Sequence, residues 1–542
     1  MTSRAKWLSL GGVLSLMALL ALVGPLAGTT PEGSRSKTAK RLTLFSFDNH
    51  SIPFKDNLYL TMAQAEKYPG NPVVPRGPAG SVDSYRAQFY GSVIREGEKF
   101  RMWYAACHYD ETKSEGKWAG NPEFSKNWHV AYAESNDGIH WVKPNLGLTS
   151  FKGSTNNNLV ELSSEIDLER SEPIAVFILH EPDDPDPGRR YKMAVYGRYQ
   201  NSAYENSRSR TKLEVPATIY PYFSADGLRW KLAMPAPKKR VVDETEAPFT
   251  AEWVFEIGGL YKFDGIYYVA GQEISPDVWL PNGGLVRRTM TTHWSGDFIR
   301  WSQEKSFSFQ RYGYRSPKES LEEAHEGASV WNRGNVLLGL FGLWHGAAAQ
   351  NLWRLDLGFL VSNDGIHFRE PVADHVFVKA GEGEDWDRHG LIQGQGFENV
   401  GDKTYIYYGT WDLTRGEVTP GAIGLATLRR DGFGYLSTRL PREGSFTTVP
   451  LTMTSSGAGL FVNADGLGEK SYLSVELIDK YGTAIPGYSG TAAALVKKSG
   501  LREKVNWPGT GTTIAYDRPY RVRVHFAGSS VKSIKFYGAY LE

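Results

Sequence analysis

Ser135-Asn136-Asp137-Gly138-Ile139-His140-Trp141 is one of several related stretches, and their recurrence decides the fold. The pattern Ser-x-Asp-Gly-x-x-Trp returns as Ser224-Ala225-Asp226-Gly227-Leu228-Arg229-Trp230 and as Ser295-Gly296-Asp297-Phe298-Ile299-Arg300-Trp301. It returns again from Ser362 to Phe368, and Asp431-Gly432-Phe433 is a degenerate fifth copy. From aspartate to aspartate the spacings are 89, 71, 67 and 67 residues, a period that marks a copied supersecondary unit. Ahead of each motif lie short runs rich in β-branched and aromatic residues, such as Phe100-Arg101-Met102-Trp103-Tyr104, Tyr191-Lys192-Met193-Ala194-Val195 and Thr404-Tyr405-Ile406-Tyr407-Tyr408. Bounded by Gly, Asn and Asp, these runs read as strands joined by turns, with Asp-Gly supplying the positive φ of a tight turn. Each unit is therefore about four antiparallel strands. Five such sheets around an axis make a five-bladed β-propeller, whereas an array of sandwiches would need units of about 100 residues.

The rest of the chain divides around this repeat. Arg4 and Lys6 precede an apolar run from Leu8 to Val23, followed by the small residues of Gly24-Pro25-Leu26-Ala27-Gly28. Residues 1–28 are thus expected to be a signal peptide or N-terminal anchor, which implies export to a periplasmic or extracellular location. Residues 29–41 read as a linker and 42–437 as the propeller. Residues 438–542, where the repeat stops and alternating runs such as Tyr520-Arg521-Val522-Arg523-Val524-His525-Phe526 begin, read as a β-sandwich. The fold class is accordingly all-β, a five-bladed β-propeller followed by a C-terminal β-sandwich that serves as a brace.

Charge and cysteine usage exclude several functions. The 61 basic and 60 acidic side chains leave a formal charge of +1, without the concentrated basic face a nucleic-acid binder needs. The single cysteine, Cys107, can form no internal disulfide and reads as a small core residue. No zinc-ligand spacing occurs and no cofactor is expected. Asp183-Asp184-Pro185-Asp186 has oxygens suited to calcium, but its Asp/Pro-rich setting reads as a solvated loop.

Strands of the Phe-Arg-Met-Trp-Tyr type, Ser-x-Asp-Gly-x-x-Trp turns and a trailing sandwich together resemble the five-bladed glycoside hydrolase superfamily, which includes glycoside hydrolase families 43 and 32. The family 32 signatures Trp-Met-Asn-Asp-Pro-Asn-Gly, Arg-Asp-Pro and Glu-Cys are absent from this sequence. The resemblance implies a carbohydrate substrate and a cluster of acidic residues in an axial funnel. In a propeller the first strand of each blade lines that funnel, so polar residues near its start are the candidates. They are Asp83, Arg86 and Gln88 in blade one, Glu172 in blade two, and Trp253 and Glu256 in blade three. Blade four offers Glu322, Glu323, His325 and Glu326, and blade five Asp387, His389, Gln393 and Gln395; Arg333 is a further candidate, to hold a carboxylate or sulfate on the substrate. Counting back from the turn glycines Gly97, Gly265 and Gly334 makes Gln88, Glu256 and His325 equivalent.

Glycoside cleavage needs one protonated and one ionised carboxyl group, a division that burial and like charges produce. On this reading Asp83 is base or nucleophile, Glu256 the proton donor, and Glu326 or Glu172 the modulator. Arg86, Gln88, Trp253, His325, Arg333, His389, Gln393 and Gln395 bind substrate. The turn aspartates recur in every unit and so set structure rather than chemistry. The alternative is a carbohydrate-binding propeller without catalysis.

Overall fold

The computed structural model describes residues 41–108, 128–163, 171–199, 218–233, 256–273, 288–302, 304–311, 323–345, 354–410, 421–452 and 457–542. Side chains at 171–174, 196–199, 218–219, 273, 323, 326 and 345 lie outside this description, as do residues 1–40. Ala39–Glu542 form one compact unit. The fold is all-β, and among the described residues only short 3-10 turns interrupt the strands.

Four hydrogen-bonded sheets carry the repeat, and the seven-stranded one divides at a single parallel bridge into two groups, called sheets I and V below. Sheet I holds Arg86–Glu96, Lys99–Cys107 and Trp128–Ser135; sheet II holds Ser171–His180, Tyr191–Tyr199, Thr218–Ser224 and Arg229–Leu232. Sheet III holds Glu256–Phe263, Ile266–Glu273, Thr289–Ser295 and Ser306–Phe309, and sheet IV Glu323–Asn332, Leu337–His345 and Arg354–Ser362. Sheet V holds Leu391–Val400, Lys403–Thr410 and Ile423–Arg429, and its outer strand is Glu66–Lys67 from the other end of the repeat region. Each first strand packs against the next, and that of sheet V returns to that of sheet I, where Gln395 and Ser92 form a parallel bridge. The five first strands therefore make a closed circuit.

The repeated turn holds the circuit together. Within each of the first four copies, the serine hydroxyl accepts the N–H three residues on, and one aspartate oxygen accepts the next two N–H groups, at 2.8–2.9 Å in the Ser135 copy. Each turn then docks on the preceding sheet. Gly138 O accepts from the Tyr407 hydroxyl of sheet V at 2.6 Å, and Gly227 O from the Trp103 indole of sheet I at 2.7 Å. Asp297 O accepts from Arg189 of sheet II at 3.0 Å, and Gly365 O from the Tyr261 hydroxyl of sheet III at 2.8 Å. The degenerate fifth copy closes the series through an Asp431–Arg333 ion pair to sheet IV. In the third copy Phe298 stands at φ 69 where the others have glycine, and its ring packs on Tyr267 and Trp301.

Apolar clusters fill the seams between sheets. Ala87, Phe89 and Val93 of sheet I pack with Tyr407, Ile423 and Leu425 of sheet V. On the circuit's axis, Tyr90, Phe177, Ile257, Leu260 and Ile392, from four different sheets, meet in one cluster.

Two further sheets pack face to face over a shared apolar core. One orders Gly500–Lys504, Leu460–Asp465, Lys535–Leu541, Gly434–Thr438 and Leu58–Met62, with Leu42–Phe45 pairing on Lys535–Leu541. The other orders Phe54–Asp56, Gly444–Thr447, Tyr520–Ala527, Tyr472–Asp479 and Ala494–Val496. Residues 42–62 and 434–447 thus belong with the C-terminal strands, on both sides of the 437/438 boundary expected from the sequence. The first of these sheets lies against sheets IV and V: Phe45 and Phe47 share a cluster with Leu338, Phe359 and Phe433, and the Tyr540 hydroxyl bonds Asp431 at 2.8 Å.

At the turns, burial opposes ionisation, but hydrogen bonds from N–H and side-chain donors outweigh it and bring Asp297 and Asp364 down to about 2. Carboxylates depressed in this way stabilise the fold above their unfolded pKa near 4, and that contribution fades as pH falls towards 2. Thermal melts of the wild-type chain should therefore lose midpoint between about pH 4 and pH 2. Asp297→Asn and Asp364→Asn should each melt lower at pH 7, by about 1 kcal/mol in stability, with a shallower acid slope. An unchanged slope in the double variant would remove these turns as its cause.

Candidate functional site

A sheet bulge opens every first strand near one end of the circuit. In sheet I, Gln88 pairs with Ala105 and Ser92 with Trp103, so four residues span two. Sheet IV repeats this with His325 opposite Gly342 and Ser329 opposite Leu340, and sheet V with Gln393 opposite Tyr408 and Phe397 opposite Ile406. Sheets II and III carry smaller irregularities, at Tyr196/Gly197 and Ile257/Gly259. Bulges re-aim the side chains beside them and commonly flank functional sites. Gln88, His325 and Gln393 occupy the same place in this pattern, and Glu256 begins the first strand of sheet III opposite Gln272.

Several candidates are brought together here. Buried Arg86 donates from Nη1 to Gln88 Oε1 at 3.1 Å, and its stem lies so close to Gly421 that a β-carbon there would sit 2.0 Å from Cγ. Gln88 is fully buried, and its Nε2 has no hydrogen-bond partner among the described residues. Gln393 donates to Gly327 O at 3.1 Å and to His325 O at 3.4 Å, joining sheets V and IV. Gln395 accepts from the Leu260 N–H, so it bridges sheets V and III across the axis.

Between sheets III and IV the contacts form a chain. The Gln272 side chain accepts from Arg288 Nη1 at 2.9 Å. The Arg288 guanidinium stands 4.9 Å over the Trp344 ring, a cation–π contact, and Trp344 in turn lies 5.2 Å from the His325 ring. Burial, reinforced by the Arg288 charge, holds the His325 pKa well below its ordinary value. His325 is therefore a neutral imidazole at physiological pH, fit to hydrogen-bond rather than to act as a cation.

Asp83 is buried at this end and fully engaged. It accepts from the Tyr104 hydroxyl at 2.8 Å, Ser81 at 3.2 Å and Lys143 Nζ at 2.5 Å. Asp387 in sheet V has a parallel setting, with Lys67 Nζ at 2.6 Å and the Tyr408 hydroxyl at 2.9 Å. In both, a glycine six residues earlier, Gly77 or Gly381, donates its N–H to the aspartate carbonyl. Half-buried His389 follows two residues after Asp387.

Other candidates fall elsewhere. Arg333 lies at the opposite end of the circuit, beside the turn at Gly334, paired with Asp431 and stacked 4.2 Å over Trp331. Glu172 and Glu326 sit near the starts of the first strands of sheets II and IV, but their side chains lie outside the described residues, as does Trp253 altogether. Among Asp183, Asp184 and Asp186, Asp184 binds Lys192 at 2.6 Å and Asp186 caps the 3-10 turn at Pro187–Arg189. Cys107 is buried. Sequence reading did not single out Gln272, Arg288, Lys67 or Lys143. The one local hint was the paired Arg287-Arg288 just before the strand Thr289–Ser295.

No family model matches this chain, and no curated protein matches it. Solved structures align with part of it at low scores. An N-acetylgalactosamine deacetylase from F. plautii, in complex with blood group B trisaccharide, aligns at a TM-score of 0.45 and 13% identity, over 68% of this chain and 96% of that one. A GH130-family protein aligns at 0.43 and 13% identity, over 68% and 94%. A glycosyl hydrolase from Bacteroides ovatus aligns at 0.43 and 13% identity, also over 68% and 94%.

The Lys143–Asp83 pair makes a stability prediction. Lys143→Met leaves a buried carboxylate without its cation, which costs about 3 kcal/mol. Its chemical denaturation midpoint should fall accordingly, and Lys143→Met combined with Asp83→Asn should recover part of the loss. A single variant as stable as wild type would show that the pair carries no such weight.

Proposed function

We propose that the protein is an exported glycoside hydrolase. In this reading the five sheets are the blades of a five-bladed propeller, the paired sheets are its bracing sandwich, and the substrate is a polysaccharide or oligosaccharide. The observation that carries the proposal is the contrast between the two ends of the circuit. At one end the repeated turns are alike and structural; at the other, bulged first strands carry Arg86 and Gln88, Glu256, His325 and Gln393, a different set from each of sheets I, III, IV and V. A catalytic centre needs one of each group, and repetition for its own sake does not.

Glu256 is the proton donor in this scheme. A glutamate half-buried at a strand start, near the Gln272–Arg288–Trp344–His325 chain, can give a proton to the leaving glycosidic oxygen. The second carboxyl group, which activates water or attacks the anomeric carbon, comes from Glu172 or Glu326, at the starts of the flanking first strands. Asp83, held by Lys143, Tyr104 and Ser81, fixes the segment that carries Arg86 and Gln88. Neutral His325 and the two glutamines, Gln88 and Gln393, orient sugar hydroxyls. Residues 1–28 direct export, placing the enzyme in the periplasm or outside the cell.

The complete pairing of Asp83 favours one second reading, a carbohydrate-binding propeller without catalysis. Reducing-sugar release from a panel of polysaccharides separates the two. Glu256→Gln should lower kcat by about 10²–10⁴-fold with KM little changed. Wild-type turnover in that variant would end the assignment of Glu256. Binding without release by the wild-type chain would favour the second reading.

A further inference from the structure

Among the described residues, the paired sheets have one face that sheets I to V do not cover. Their inner faces share the apolar core, to which the second sheet contributes Phe446, Leu473, Val475, Val496, Val522, Val524 and Phe526. The first sheet turns its outer side to sheets IV and V, through Phe45, Tyr540 and an Arg429–Asn463 contact at 3.0 Å. That leaves the outer side of the second sheet, onto which every alternate residue projects.

The register arranges those residues in rows across the strands. One row runs Phe54, Thr447, Arg523, Glu476, and the next Asp56, Ser445, His525, Ser474, Leu495. Three interstrand gaps make the first row about 14 Å long. Phe54 is 56% exposed at one edge and Leu495 53% at the other. Arg521 stands 5.5 Å over the Phe54 ring and donates to Thr448 O at 2.9 Å. Arg523 and His525, 35% and 37% exposed, share the single carboxylate of Glu476 at 3.9 Å and 3.2 Å. Asp56, the other carboxylate, pairs with Arg442 at 3.2 Å. Arg521, Arg523 and Arg442 thus stand against the carboxylates of Glu476 and Asp56, and residues 438–542 as a whole carry thirteen Lys and Arg against eight Asp and Glu, in a chain balanced at +1.

We propose that this face is a second glycan-binding surface, separate from the ring, and that its ligand is a polysaccharide bearing carboxylate groups. Guanidinium forks match carboxylates in planar, bidentate fashion. Ser445, Thr447 and Ser474 offer hydroxyls to sugar hydroxyls, and the exposed Phe54 ring offers an apolar platform for a sugar's C–H face. Charge complementarity selects the acidic chain over a neutral one. Its binding would keep the catalytic ring close to an insoluble or extended substrate, by raising effective concentration.

Affinity electrophoresis of the full chain, in gels containing polygalacturonate or a neutral galactan, tests this directly. Wild type should be retarded by the acidic gel, less so as salt rises, and little by the neutral one. Phe54→Ala with Arg523→Ala should weaken retardation at least tenfold in apparent Kd while the thermal midpoint holds. Glu476→Gln, which removes a competing carboxylate, should strengthen it, an effect no merely structural role would produce. Glu256→Gln should leave it unchanged, since that residue belongs to the ring. Equal mobility in both gels, equal retardation by the neutral gel, wild-type retention in the double variant, or loss in Glu256→Gln would each overturn the proposal.

Discussion

The docking of each Ser-x-Asp-Gly turn onto the sheet before it is the interaction on which the rest depends. A four-stranded sheet has two edges and two faces, and alone it buries too little to be stable. Here the turn carbonyls of Gly138, Gly227, Asp297 and Gly365 each reach a donor on the preceding sheet, and Asp431 reaches Arg333. Because the first turn docks on the last sheet, the series has no loose end. The strand Glu66–Lys67, supplied from before the repeat, completes the last sheet and ties its closure to the chain's own continuity.

This division of labour explains why the polar groups at the other end can differ. The repeated turns and apolar seams hold the sheets in the same way in every unit, whereas Arg86, Glu256, His325 and Gln393 share no common contact from sheet to sheet. Other polar side chains nearby have structural partners. Asp83 and Asp387 each spend a buried carboxylate on a lysine and a tyrosine, and Gln395 crosses the axis to Leu260. Polar and near the axis is therefore too coarse a criterion for a site.

Much of this was legible in the sequence, and what was not has identifiable reasons. Turn spacing and strand composition gave the all-β repeat because both are local patterns. The pairing of Leu42 with Leu541 leaves no local trace, so residues 42–62 look like a lead-in to the repeat. Counting from turn glycines aligned Gln88 and His325 but missed Gln393, because Gly401 follows it by eight residues rather than nine. The same count places Arg333 one residue before Gly334, at the turn end, so its remoteness from His325 could have been read. The Gln272–Arg288–Trp344 contacts could not, since they join different strands and different sheets.

The two ends of the circuit differ along its axis. Midway along it, Tyr90 meets Phe177, Ile257 and Ile392, and Gln395 ties sheet V to sheet III, so the first strands enclose a packed core at that level. Beyond this plug, towards the hairpin turns, neighbouring sheets are cross-linked: Lys262 to Glu181, Asn332 to Lys262 O, Arg95 to Asn399 O. At the opposite end the first strands carry the bulges, and bulges re-aim the side chains beside them. Under the proposed function, a sugar chain would meet the dissimilar groups at that end, and the packed core beneath them would form the floor of its site.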